Sequence, residues 1–254
     1  MFSGAQVSLY PMSDDFIDII RNSIKSLDPW RDRLRFETDS LSTLVVGPPE
    51  VLFPAMCDLF CAAARSGVHT TLHATVSRGC PGEPDEPICV PVAGAPREMS
   101  LANRVMARRK TVAVAPIREQ TIAAQLSLYP LGVGHHMDEI YGCIEFLKSS
   151  GTFDRSKNFY TALRGDAGPV FETLSQTFTG FGPDAGHLAM DVTVSANSPS
   201  DHCSTGRAPA RPINPPIPFQ QEAAMSTPSV WPLREPLIIA VLGAVFGVLY
   251  LGWV

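Results

Sequence analysis

The sequence predicts an α+β protein built of two tandem βαββαβ repeats, followed by a Pro-rich linker and a C-terminal transmembrane helix. Three observations predict it: a segment that recurs in the second half, apolar periodicity that switches between strand and helix spacing within each copy, and an uncharged apolar run at 237–254. A chain of 254 residues holds roughly one to two domains of about 100–150 residues. With 45% apolar and 18% charged residues, disorder throughout and collagen-like or disulfide-scaffold classes are excluded. The 20 basic and 25 acidic side chains leave a net charge of −5, which excludes a general nucleic-acid binder needing a basic face. The 6 cysteines are even in number, but Met1–Met12 lacks the basic and apolar regions of a signal peptide, so they read as reduced cytosolic thiols.

The repeat rests on three collinear matches. Ala5–Pro11 (AQVSLYP) recurs as Ala124–Pro130 (AQLSLYP). Thr43 and Gly47 match Thr161 and Gly165, and the segment beginning at Thr75 matches that beginning at Thr193. The copies occupy 1–82 and 123–200, with a connector over 83–122.

Each element follows from local pattern. Gln6, Ser8 and Tyr10 alternate with Val7 and Leu9, which predicts a strand. Ser13 is the expected N-cap of the next helix, with Asp14 and Asp15 in a first turn that favours anions. Phe16, Ile19, Ile20, Ile24 and Leu27 then recur at helical spacing, as do Met137, Ile140, Ile144 and Leu147 in copy two. Residues 34–46 predict two short strands turning near Asp39-Ser40. A second helix follows Pro48-Pro49, with Leu52, Met56, Leu59, Phe60 and Ala63 inward; Pro54 blurs its start, because proline belongs in a first turn. A strand over 68–77 closes the copy, giving the ferredoxin-like order with both helices on one sheet face.

The opposite face is polar in both copies. His73, Thr75 and Ser77 alternate with Leu72, Ala74 and Val76, and His187, Ala189, Asp191, Thr193 and Ser195 alternate with Leu188, Met190, Val192 and Val194. Such a face can be solvated or packed on another sheet. Short hydroxyl and amide side chains, in place of the Lys and Glu common on solvated faces, favour a small polar ligand.

These residues carry a family resemblance. SLYPM followed by DDF, the D-x-x-S-T pattern of Asp39–Thr43, the S-x-G-C-P-G of Ser77–Gly82 and the S-A-N-S-P-S of Ser195–Ser200 appear in order. Over about residues 4–200 the chain resembles the bacterial YkoF-type proteins, tandem ferredoxin-like proteins that bind thiamin through its hydroxymethylpyrimidine part. The resemblance implies a homodimer, one ligand site per repeat, no catalytic turnover and a role in thiamin or precursor uptake or salvage beside a transporter. By position it assigns ligand contact to Ser8 and Thr43 in copy one and to Ser127 and Thr161 in copy two, or to backbone groups of Leu9 and Leu128. Copy two departs from the pattern, with Lys157 and Tyr160 in place of Asp39 and Ser42. The Pro-rich linker and apolar tail also lie outside it.

The chemistry is compatible with that ligand. An aminopyrimidine presents an exocyclic NH2 donor beside ring-nitrogen acceptors, and serine or threonine hydroxyls serve either role. Tyr10 and Tyr129 are candidate neighbours for the thiazolium cation, worth ~0.5–2 kcal/mol if their faces meet it. No cofactor beyond the ligand is implied. Cys57 and Cys61, and His135-His136, lack the second half of a zinc set. Cys80 is the nucleophile of an alternative enzymatic reading on the same ligand class, and a ligand-sensing regulatory module is a third. Gly165–Gly168 reads as a strand-to-helix turn, and Arg104, Arg108, Arg109 and Lys110 as a solvated helix face or an anionic-lipid contact.

The C-terminal quarter reads differently. Residues 201–236 hold eight prolines and predict an extended linker. At ~1.5 Å per residue, a helix over 237–254 reaches about 27 Å, close to a ~30 Å hydrocarbon core. Arg207, Arg211 and Arg234 precede it, so the positive-inside rule expects a single-pass membrane protein with its ligand domain cytoplasmic, or the front of a longer permease.

Overall fold

A computed structural model describes residues 3–79, 99–131, 136–182 and 187–201. The Pro-rich linker and the apolar run at 237–254 lie outside the described residues, as do Cys80, Pro81 and Gly82 of the GCPG motif. Among the described residues no helix is long and apolar enough to cross a membrane.

The first repeat runs β1 (Ser3–Pro11), α1 (Phe16–Ile24), β2 (Arg35–Thr38), β3 (Thr43–Val46), α2 (Pro49–Ala64) and β4 (Thr70–Arg78). The connector contributes α3 (Leu101–Ala113). The second repeat runs β5 (Thr121–Leu131), α4 (His136–Ser149), β6 (Phe153–Ser156), β7 (Thr161–Asp166), α5 (Ala167–Gly180) and β8 (His187–Ala196). The two copies thus have the expected βαββαβ order.

Their strands merge into one sheet of eight, ordered β2-β3-β1-β4-β8-β5-β7-β6. The seam is the antiparallel pair β4–β8, in register from Thr70 against Ala196 to Arg78 against Leu188. Long strands β1, β4, β5 and β8 form the centre, and the short hairpins β2–β3 and β6–β7 form the two ends. The inward rows Ala5, Val7, Leu72, Ala74 and Val76 of one copy, and Ile122, Ala124, Leu126, Met190, Val192 and Val194 of the other, are buried beneath the helices. Helices α2 and α5 carry the shared core: Phe53 meets Phe178 at 5.8 Å and Phe60 meets Phe171 at 6.1 Å between ring centroids. Aromatic pairs at such distances add to the gain from burial.

Three local expectations are corrected. Ser13 does not cap α1; Asp15 occupies the N-cap position without a side-chain bond, and the Ser13 hydroxyl instead accepts from the Asp15 N–H at 3.2 Å. The helix tightens after Ile24 into a 3-10 segment, Lys25–Trp30, where Pro29 stands, and Phe16 remains exposed. Helix α2 begins at Pro49 and continues through Pro54, which withdraws one backbone donor near its start.

Two of the arginines of α3, Arg104 and Arg108, do not lie on a solvated face. Arg104 is buried, donating from both terminal nitrogens to Glu139 at 3.0 and 2.5 Å and to the Gly180 carbonyl at 2.9 Å. Arg108 donates to Gln176 at 2.6 Å and to Thr179 at 3.0 Å. The connector helix is therefore bonded to α4 and the end of α5, while Arg109 and Lys110 stay at the surface.

Candidate functional site

The unequal strand lengths create the site. Pairing between β1 and β3 ends at Val7–Thr43, but β1 continues to Pro11, so Ser8–Tyr10 have β4 on one side and, among the described residues, no strand on the other. The same happens in copy two, where β5–β7 pairing ends at Leu126–Thr161 while β5 runs on to Leu131. Backbone N–H and C=O groups along such an edge need partners, and each edge borders a hollow.

The first hollow, of about 200 Å³, is bounded by Val7–Leu9 of β1, Ile20 and Ile24 of α1, Leu59 of α2 and the turn Thr38–Thr43. The second, of about 250 Å³, is bounded by Leu126–Tyr129 of β5, Ile140, Cys143, Ile144 and Leu147 of α4, and the turn Lys157–Thr161. The loosely covered α1 now has a reason: Ile20 and Ile24 wall a hollow and are left half-buried. A further cavity of about 170 Å³ lies beside the first hollow and shares Val7, Ile24, Thr38, Thr43 and Leu59 with it.

All four predicted contact residues line these hollows: Ser8 and Thr43 the first, Ser127 and Thr161 the second. They reach them from opposite sides of the sheet. Thr43 and Thr161 stand opposite Val7 and Leu126 and so face the helix layer, whereas Ser8 and Ser127 belong to the helix-free face. The Ser8 hydroxyl donates to the Leu41 carbonyl at 3.2 Å and the Ser127 hydroxyl to the Phe159 carbonyl at 2.6 Å, so both serines tether the hairpin turn to the edge. Thr43 shares a 3.0 Å hydroxyl contact with Thr38 where the first hollow meets its neighbouring cavity. Of the two tyrosines, Tyr129 lines its hollow; Tyr10, half-exposed, is not among the residues lining the first.

The turns are alike in backbone and opposite in chemistry. Asp39 N–H donates to the Ser42 carbonyl at 3.0 Å, and Lys157 N–H to the Tyr160 carbonyl at 2.9 Å. The Asp39 carboxylate also accepts from the amides of Leu41 at 2.7 Å and Ser42 at 2.8 Å; the Leu41 bond foremost holds its pKa below the usual value. Gln6 donates to the Ser42 hydroxyl, closing that turn onto β1. In copy two the Lys157 ammonium stands 5.9 Å from the Tyr160 ring centroid.

The polar helix-free face is a different feature from the hollows. Along the β4–β8 seam, His69 pairs with Ser195 at 3.0 Å, His73 with Thr193 at 3.3 Å and Ser77 with His187 at 2.9 Å, and His73 stands 3.6 Å from Asp191. These groups satisfy one another across the seam. Sequence alternation identifies the face; it gives no sign of the hollows, because strand length, not residue type, places them.

Two motifs have structural duties. Asn197 of the SANSPS segment, at φ 56°, donates to the carbonyls of Ala64 at 2.7 Å and Val68 at 3.1 Å, fastening copy two to the end of α2; Gly79 takes the same left-handed position after β4. Asp166 of the Gly165–Gly168 turn caps α5 through the Gly168 N–H at 2.9 Å and also accepts from Arg118 N–H at 2.8 Å, as expected of a strand-to-helix turn. Cys57 and Cys61 lie side by side in α2 with sulfurs 3.9 Å apart, and Cys143, at the wall of the second hollow, has its thiol pushed up to about 12 by burial and by Glu139.

Known proteins match the two halves in the same way. The model of the YKOF-related family matches residues 2–83 and again 121–201. A protein of Bacillus subtilis (strain 168) named "Putative HMP/thiamine-binding protein YkoF" is 33% identical over 198 residues, covering 78% of this chain and 92% of that protein. With a repeated family match over more than half its length and this relative, the chain belongs to the YKOF-related family.

Proposed function

We propose that the chain binds thiamin-type ligands through their hydroxymethylpyrimidine part, one in each hollow, without chemical turnover. The observation that carries this reading is the unpaired edge of β1 and of β5 beside an apolar hollow. A flat ring with a donor beside acceptors can pair with such an edge as a strand would, while Thr43 or Thr161 meets it from the helix side. Hollows of this size lie below the ~300–1,000 Å³ of drug-sized sites, so they suit one ring with the remainder of a larger ligand at the mouth. The name of the Bacillus relative supports the ligand class.

The binding serves uptake or salvage of thiamin or its precursor beside a membrane transporter. Two chains associate as a homodimer, and residues 237–254 anchor the ligand domain at the cytoplasmic face of a membrane. Calorimetric titration with thiamin and hydroxymethylpyrimidine tests the central claim: saturable binding to both repeats is expected, and no heat from either compound overturns it. Turnover of thiamin or its phosphates would return the enzymatic reading through Cys80. Carbonate-resistant pelleting of the full chain, with a chain ending at Ser200 remaining in the supernatant, is the expected fractionation result.

A further inference from the structure

The two hollows have the same backbone frame but mouths of opposite charge. Asp39 is the charged residue lining the first, and Lys157 the charged residue lining the second. The same backbone bond closes each turn, Asp39 N–H to Ser42 and Lys157 N–H to Tyr160, so the two residues occupy equivalent backbone positions. Asp39 is fixed there, since its carboxylate holds the amides of Leu41 and Ser42. Lys157 stands over Tyr160 on a flexible stem, a compact charge able to turn toward a mouth ligand. Arg31 lines the cavity behind the first hollow and is held by Asp28 at 2.8 Å, so its charge is answered locally. The other described residues lining the two hollows carry no charge, so among the described lining residues these two groups set the sign of the local field.

We infer that the hollows sort one ligand family by charge: the first favours a pyrimidine carrying a cationic substituent, and the second one carrying a phosphate. This rests on the reading that both hollows take the pyrimidine. The neutral ring seats in either; the substituent at the mouth meets a carboxylate in one and an ammonium in the other. A chain with two such sites handles a free cationic vitamin and a phosphorylated form at once.

The test is titration of the full chain with hydroxymethylpyrimidine, its phosphate ester and thiamin, resolved into two sites. Lys157→Gln is expected to weaken the phosphate ester about 3- to 10-fold at one site, with the neutral pyrimidine unchanged within about twofold. Asp39→Asn, which keeps an oxygen for the turn amides, is expected to weaken thiamin by a similar factor at the other. Added salt should weaken both charged ligands in the unaltered protein and leave the neutral one alone, a readout independent of any variant's folding. An unchanged ratio of charged to neutral affinity in either variant, or binding of the charged ligands insensitive to salt, overturns the sorting while normal neutral binding preserves the ligand reading. Failure of the neutral pyrimidine to bind overturns both.

Discussion

Thr43 and Thr161 are the residues at which the ligand reading is most directly tested. Each presents a hydroxyl from the helix side of a hollow, and valine keeps the volume while removing the polar group. Thr43→Val should cost roughly 1–3 kcal/mol of affinity at the first site, because a ring atom that paired with the hydroxyl is left unsatisfied on burial. Titration of Thr43→Val and Thr161→Val together should show both sites weakened; thiamin binding unchanged in the double variant would remove these positions from the site. Gly168 makes a second, structural prediction. A Cβ there would lie 1.7 Å from the Pro116 carbonyl oxygen, a backbone atom that cannot rotate away. Gly168→Ala should therefore destabilise the fold by about 1–3 kcal/mol, read as a lower urea midpoint with an unaltered slope.

At the scale of elements, α3 is where sequence reading and structure diverge most. Arg104, Arg108, Arg109 and Lys110 form one basic cluster along the chain, and helical spacing alone cannot tell which face has partners. The partners come from α4 and the end of α5, contacts of long sequence separation that no local pattern records. Arg104→Met should cost about 3–5 kcal/mol, since it leaves Glu139 with its charge in a largely covered site and without its bidentate partner. The variant pair Arg104→Met with Glu139→Leu should recover much of that loss in a thermal melt; a double variant no more stable than the single one would show that the ion pair does not account for the cost. Strands and α2, by contrast, were legible, because period-2 alternation in Val7–Leu9 and Leu72–Val76 and the row Leu52, Met56, Leu59 and Phe60 report burial directly. Helix α1 was half legible: its apolar spacing is correct, but Ile20 and Ile24 are only half-buried because they wall the hollow, which residue type does not encode, and Phe16 and Ile17 remain exposed.

At the scale of the described molecule, the repeat sequence predicts two copies but not their fusion. Whether β4 and β8 each end a separate sheet or pair with one another depends on the match between two edges. Here the match is long: nine consecutive register pairs from Thr70 to Arg78, with the histidine and hydroxyl contacts on one face and the Phe53–Phe178 and Phe60–Phe171 pairs beneath the other. Opening that seam would expose two strand edges and an aromatic core at once. Residues 3–201 should therefore unfold in one cooperative transition, not as two domains. Phe53→Ala, placed in copy one, should lower stability by about 3–5 kcal/mol and move probes in both copies equally. The measurement is amide hydrogen exchange followed separately on β1 and β5. Coincident loss of protection along the two strands is the expected result; early exchange confined to β1 would mean that each repeat holds its own stability, and that the seam joins two independent folding units.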